Sequence, residues 1–270
     1  ARFSYIRSFI QLSRSHVILT DYGNHCVRCV DRTTNETSTY TGNCTNRGNR
    51  DGVNALFYRP ASILVDLMNF QQLIISEFNS RSLKTINTAC KNVSIFYRDI
   101  THRYHLNHLL QDAETGNIHV TFSHSVGLYN YQSRTFSIIT GSTSSGFVDG
   151  EFSQLRFDYP RGLAFLSRST VLVADQNNHK LRVLDLRSNT SSSICSGARA
   201  HADGGLASCS LFDPLSLFTV NNTVYIGEGG FIRVFQGKNH INTSLNVRAL
   251  SGFYKFPLPK SDDLVGLNSL

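Results

Sequence analysis

The stretch "VADQNNHKLRVLD", Val173 to Asp185, fixes the reading of the whole chain. An apolar run ends on an acid, Asp175, passes a polar turn, and resumes as alternating apolar and basic residues. Period-two alternation on both sides of a short Asn-rich turn predicts two antiparallel strands. The pattern recurs at Asp21 to Asp31, "DYGNHCVRCVD", without a gap, giving D-x-x-N-H-x-[VL]-R-x-[VL]-D. Looser copies run from Glu77 to Asn87, from Phe122 to Gln132 and, two residues shorter, from Glu228 to Gln236. The anchor residues 21, 77, 122, 175 and 228 are spaced by 56, 45, 53 and 53 residues.

A second pattern separates the copies: an Asp-Gly, then F-x-x-P or F-x-P, then an apolar strand. It stands at Asp51 to Pro60, Asp149 to Pro160 and Asp203 to Pro214; Arg103 to Asp112 is a worn version without the Asp-Gly. Each repeat thus carries four short strand candidates, in the fourth "GLAFLS", "VLVADQ", "LRVLDL" and "SSSICSG". No segment sustains a 3.6-residue apolar period. Four strands repeated at about 50 residues are the sign of a propeller blade. The expected fold is an all-β propeller in one domain, residues 1–270, with blades near 7–42, 60–95, 105–141, 160–197 and 214–252. An extra apolar strand follows at 262–270. Its Leu264, Val265 and Leu267 would close a five-bladed ring, begin a sixth blade, or pair with another molecule, since an unpaired edge is a template for association.

The repeats resemble NHL repeats. Asn24-His25-Cys26-Val27 and Asn178-His179-Lys180-Leu181 carry the naming core, and "PRGLAFL", Pro160 to Leu166, is similar to the family's first strand. The resemblance covers about residues 1–260 and implies a four-stranded blade repeat. In that frame Asp21, Glu77, Asp175 and Glu228 cap the turn into the third strand with backbone N–H bonds, braced by Asn178 and His179. Leu181 and Val183 pack between blades while Lys180 and Arg182 point away. A cation-binding ring of carboxylates is the alternative reading, and Phe122 breaks it. Among NHL-type proteins are amidating lyases with histidine metal ligands and intracellular RNA-binding domains. The lyase ligands have no positional match here.

Six cysteines and six Asn-X-Ser/Thr triplets, at Asn35, Asn43, Asn92, Asn189, Asn221 and Asn242, point to a secreted or extracellular, N-glycosylated chain. The chain opens on Ala1 without a visible signal peptide, as a processed chain would. No apolar run approaches the roughly 18 residues of a membrane span. An even cysteine count fits three disulfides. Cys195 and Cys209 flank one loop and are expected to pair, whereas Cys26, Cys29, Cys44 and Cys90 leave three connectivities open. Cys26 and Cys29 lie three apart on one strand and face opposite sides, which excludes a mutual bond or shared metal.

The net charge of +7 admits nucleic acid, an anionic glycan or an acidic protein, but the basic residues form no blocks. His102, His105 and His108 have a spacing that suits neither strand nor helix for a metal. No nucleophile elbow, HExxH or phosphate loop is present. The expectation is a non-catalytic interaction module without metal or cofactor, taking a protein or glycan partner. Three alternatives stand beside it: a structural subunit assembled head-to-tail by strand exchange into an oligomer or filament, an amidating-lyase-type enzyme, and an RNA-binding domain. The sequons and cysteines argue against nucleic acid.

Overall fold

A computed structural model describes residues 2–99, 105–220, 223–236 and 246–249. The architecture is all-β, and five successive antiparallel meanders form the blades of a β-propeller. Blade one holds Ile6–Gln11, His16–Asp21, Cys26–Asp31 and Thr37–Gly42; blade two holds Pro60–Val65, Gln72–Glu77, Ser82–Asn87 and Val93–Arg98. Blade three holds Leu106–Gln111, Ile118–Phe122, Ser125–Asn130 and Thr135–Gly141. Blade four holds Pro160–Ser167, Thr170–Asp175, Lys180–Asp185 and Thr190–Ile194, and blade five Pro214–Val220, Thr223–Glu228, Phe231–Gln236 and Asn246–Ala249. The only described helix is a single 3-10 turn, Gln176–Asn178, inside the Val173 to Asp185 stretch. The segment 262–270, with Leu264, Val265 and Leu267, lies outside the described residues.

The chain packs as two compact units that divide inside blade three: residues 1–122 with 129–136, and 123–128 with 137–270. Cores of the first unit lie between blade faces, where Ile18 and Val27 meet Ile63, Ile75 and Ile86, and where Ile74 and Leu83 meet Leu106, Ile118 and Phe122. In the second unit Leu172, Leu181 and Val183 pack on Leu211, Leu217 and Ile226. Alternation along the third strand places Leu181 and Val183 in this core.

Contrary to the expectation from the sequence, the repeated acid does not cap its own turn through backbone N–H groups. Its backbone partner is not in the turn but in the incoming loop, two residues before the first strand. Asp21 accepts the N–H of Ser4, Glu77 that of Tyr58, Asp175 that of Asp158 and Glu228 that of Phe212, each at 2.8 Å. The Asn three residues on donates its side chain to the same acid, Asn24 to Asp21 at 2.9 Å and Asn178 to Asp175 at 2.8 Å. These acids are therefore structural locks, fully buried and bonded, rather than the ring of open carboxylates a cation would need.

A buried base on the third strand joins the lock in three blades. Lys84 lies 3.1 Å from Glu77 and 3.4 Å from Asp51; Arg182 lies 2.8 Å from Asp175 and 2.7 Å from Asp149; Arg233 lies 3.0 Å from Glu228 and 2.7 Å from Asp203. The second acid is the Asp of the Asp-Gly pattern. The residues beside it also extend the blade: Gly150–Glu151 pairs with the fourth strand of blade four, Gly204–Gly205 with that of blade five, and Gly52 bridges to Val93 in blade two. Burial pushes Asp175 up to about 6, against the bonds from Asn178, Asp158 and Arg182, and raises Glu77 for the same reason. In blade three, which lacks the Asp-Gly, the two lock positions hold Phe122 and Tyr129, both buried and apolar.

Histidine of the Asn-His pair does not brace its own turn; it reaches the next blade. Its backbone is left-handed, with φ of 61° at His25 and 53° at His179. His25 accepts the N–H of Arg59 at 3.2 Å, and His179 lies 3.0 Å from Asp213. Arg59 and Asp213 sit immediately before a first strand and are themselves left-handed, with φ of 59° and 51°; so are Tyr5 and Tyr159, at 61° and 60°. A positive φ in four non-glycine residues at one repeat position is a built-in kink. Of the four, Tyr5 and Arg59 present exposed side chains just before the chain enters the blade, while Tyr159 and Asp213 are half-buried.

Two disulfides are present among the described residues, Cys26–Cys44 and Cys195–Cys209. Cys29 and Cys90 are free thiols, so the expectation of three bonds is corrected to two. Cys29 faces the interblade core beside Ile18 and Tyr40, where an apolar thiol is already accommodated.

Candidate functional site

The kink and the lock together build a surface on the first unit. The kink exposes Tyr5 and Arg59. The residue after the acid, Tyr22 in blade one and Phe78 in blade two, is buried directly beneath. Its N–H is fixed on the kink residue's carbonyl, Tyr22 on Tyr5 at 3.2 Å and Phe78 on Arg59 at 2.9 Å. The innermost strand then contributes Arg7, whose guanidinium lies 3.9 Å from the Tyr22 ring centre and 5.2 Å from that of Phe78. Arg59 covers Tyr22 as well, at 5.4 Å.

Rings continue in both directions. Tyr5 meets Tyr22 edge-on at 5.7 Å, Tyr22 meets Phe78 at 5.9 Å, and Phe78 stacks on His105 at 4.4 Å. On the other side His25 meets Tyr58 at 5.5 Å, and Arg47 lies 5.2 Å over Tyr58. The result is a face of alternating rings and guanidinium groups, each cation held by a π face.

Its electrostatics are one-sided. Asp21, the acid beneath, is engaged by Ser4 and Asn24. The side chains of Arg47 and Arg59 have no hydrogen-bond or ion-pair partner among the described residues. Burial, then the charges of Arg59 and Arg47, lower the His25 pKa, which keeps the ring neutral and able to accept the Arg59 N–H. The second unit differs. After its anchors stand Ser123, Gln176 and Gly229 instead of aromatic residues, and Arg161 is bonded to Gln176 at 2.8 Å. Arg199 covers Phe212 there but is paired with Asp213 at 3.0 Å.

The other sequence-marked residues fall elsewhere. His105 bonds the Phe78 carbonyl at 3.0 Å as part of the ring stack, His108 is half-buried in the innermost strand of blade three, and His102 lies outside the described residues. Desolvation lowers His108 and His119 to about 4, so both are neutral structural groups. Among the described residues no three His, Cys, Asp or Glu side chains converge as a metal site would require. A groove of about 520 Å³ on blade one is lined by His16, Cys29, Asp31 and Glu36 among others. Burial and then Asp31 push the Cys29 thiol up, which disfavours the thiolate a nucleophile needs.

Asn35, Asn43, Asn92 and Asn189 are exposed; Asn221 and Asn242 lie outside the described residues. Asn35, Asn92 and Asn189 all occupy the turn between the third and fourth strands of their blades. That turn is at the opposite end of the blade from the turn between strands two and three, where the aromatic and basic face sits. Asn43 follows the fourth strand, at the same end as that face.

The fold is a β-propeller that known structures share at low sequence identity. No protein-family model matches the chain, and no curated protein does. Among solved structures, an auxiliary nutrient binding protein from Bacteroides ovatus superposes with TM-score 0.68 at 14% identity, over 93% of this chain and 60% of that one. A structure of a nidogen/laminin complex gives 0.61 at 11% identity, covering 86% of this chain and 76% of that one, and a gluconolactonase candidate 0.62 at 12%, covering 92% and 79%. The chain therefore spans less than two thirds of the nutrient-binding protein's length. Its two disulfides fit an oxidising compartment, and no helix among the described residues is long and apolar enough to cross a membrane.

Proposed function

We propose that this chain is an NHL-type, secreted and N-glycosylated β-propeller that acts as a non-catalytic binding module for a protein or glycan partner. The observation that carries the reading is the pair of guanidinium groups, Arg47 and Arg59, which have no acid partner among the described residues and lie over rings packed edge to face. A propeller holds such loops on a rigid frame, which is where binding surfaces are commonly built. Binding proteins among the structural neighbours support the reading, as do exposed sequons placed mostly away from the face.

The test is expression through a secretory host, followed by binding of the purified protein to arrayed glycans and extracellular-matrix proteins. Secretion, a mass loss on glycosidase treatment, and a bound class of targets that is lost in Arg59→Ala/Tyr5→Ala would support the proposal. Target binding that is indifferent to those substitutions would locate the function elsewhere.

A further inference from the structure

The alternation of the face has a chemical counterpart, and its ligand class follows from that. Along one direction the groups read Tyr5, Arg7 with Tyr22, Arg59, His25, then Tyr58 with Arg47. Tyr5 is 60% exposed, and Arg47 and Arg59 are exposed too. Guanidinium groups present planar forks that match carboxylate and sulfate oxygens two at a time. Flat aromatic rings beside them supply apolar area with a polar handle and little entropy to lose on binding. A ligand that uses both must carry negative charges and flat apolar faces in turn.

We infer that this face binds an acidic polysaccharide, a chain whose sugars bear carboxylate or sulfate groups. This rests on the binding-module reading above and names its ligand. The C–H faces of the sugar rings lie against Tyr5, Tyr58 and His25, and the acidic groups engage Arg47 and Arg59. Tyr22 is a positioning residue: buried under both Arg7 and Arg59, it holds their guanidinium groups by cation–π contact instead of touching the sugar. An acidic peptide would supply the charges but has no regular apolar face to alternate with them, so the rings favour the saccharide.

The experiment measures binding of the glycosylated protein to three probes by titration calorimetry: a chondroitin sulfate decasaccharide, the same chain desulfated and carboxyl-reduced, and a polyglutamate peptide of matching charge. The expected result is that the decasaccharide binds and the neutral chain does not. Its affinity should weaken at least about tenfold between roughly 0.1 and 1 M salt, as screening of exposed charges requires. Arg47→Gln/Arg59→Gln should weaken it about tenfold, and Tyr22→Leu, which keeps the core filled, should weaken it through the displaced arginines. Unchanged urea midpoints of the surface variants establish that they fold. Polyglutamate binding as tightly as the decasaccharide would overturn the inference in favour of an acidic protein partner. Equal binding of the neutral chain would overturn it by removing charge from recognition. Both of these leave the binding-module reading standing. No binding to any probe overturns the inference, and if the arrays are also indifferent to the Arg59→Ala/Tyr5→Ala variant, the reading falls with it.

Discussion

Blade three contains a natural replacement for the buried ion lock, and this makes the lock's energetics testable. Arg182 is fully buried and donates five hydrogen bonds: two to Asp149, one to Asp175, and one each to the Arg156 and Val148 carbonyls. Removing it as Arg182→Ala strands the Asp175 carboxylate, and breaking a buried pair in this way costs about 3–5 kcal/mol. Replacing both members together is a different perturbation, because apolar residues of similar volume can substitute for a buried pair at little net cost. The double variant Asp175→Phe/Arg182→Tyr copies Phe122 and Tyr129. It still leaves the Asp158 N–H without its acceptor, so a residual loss of about 1–3 kcal/mol is expected. Urea denaturation of wild type, single and double variants at one pH reads the differences directly. The single variant should also recover stability in acid. Asp175 already sits up to about 6 through burial, and loss of Arg182 raises it further. A raised carboxylate contributes stability that is present below its unfolded pKa and is lost as pH climbs through the folded value. The Arg182→Ala deficit should therefore be smaller at pH 5 than at pH 8. A double variant no more stable than the single one, or a single-variant deficit that does not shrink in acid, would refute the reasoning.

Loss of either disulfide through Cys26→Ser/Cys44→Ser or Cys195→Ser/Cys209→Ser should cost about 3 kcal/mol in the chain-entropy picture for loops of this size, read as a drop in urea midpoint. Gly162→Ala should destabilise by about 1–3 kcal/mol, because a Cβ there would stand 2.6 Å from the Leu217 nitrogen in the backbone of the next blade. Unaltered stability would mean that the two innermost strands are not so close. His108 and His119, held near 4 by burial, contribute stability present above the unfolded value of 6.5 and lost as pH falls toward 4. His108→Leu should therefore flatten the acid limb of the stability curve between pH 7 and 4, and a variant curve parallel to wild type would count against it.

The strands were legible because each repeat alternates cleanly; Pro160 to Ile194 shows all four in order. The Cys195–Cys209 bond was legible because its loop is short and local, 14 residues of separation. What the sequence hid was long-range. Asp149 and Arg182 stand 33 residues apart and belong to two patterns that look independent on the page, yet they meet at 2.7 Å. The N–H partner of each acid lies in the loop before the blade, which a reading centred on the turn does not reach. Local pairing rules likewise cannot say which of four remaining cysteines stay reduced. The aromatic and basic face did leave a signal. The variable position after each anchor residue reads Tyr22 and Phe78 in the first two repeats and Ser123, Gln176 and Gly229 afterwards. Treating that position as unconstrained concealed that one half of the chain is furnished differently from the other.

The Asp-Gly acid has a consequence for where a blade begins. Counted from strand to strand, blade four runs from Pro160 to Ile194. Yet the groups that close it include Asp149, which holds Arg182, and Asp158, whose N–H fills Asp175. A fragment trimmed to its strands would carry Arg182 with one anchor missing and an acid facing an empty seat. The portable piece, for grafting into another propeller or for dating an ancestral duplication, starts upstream of the Asp-Gly and stops with the fourth strand. The spacer between blades is thus the leading part of the next one, and a duplication that broke just before Pro160 would have delivered a blade without its key.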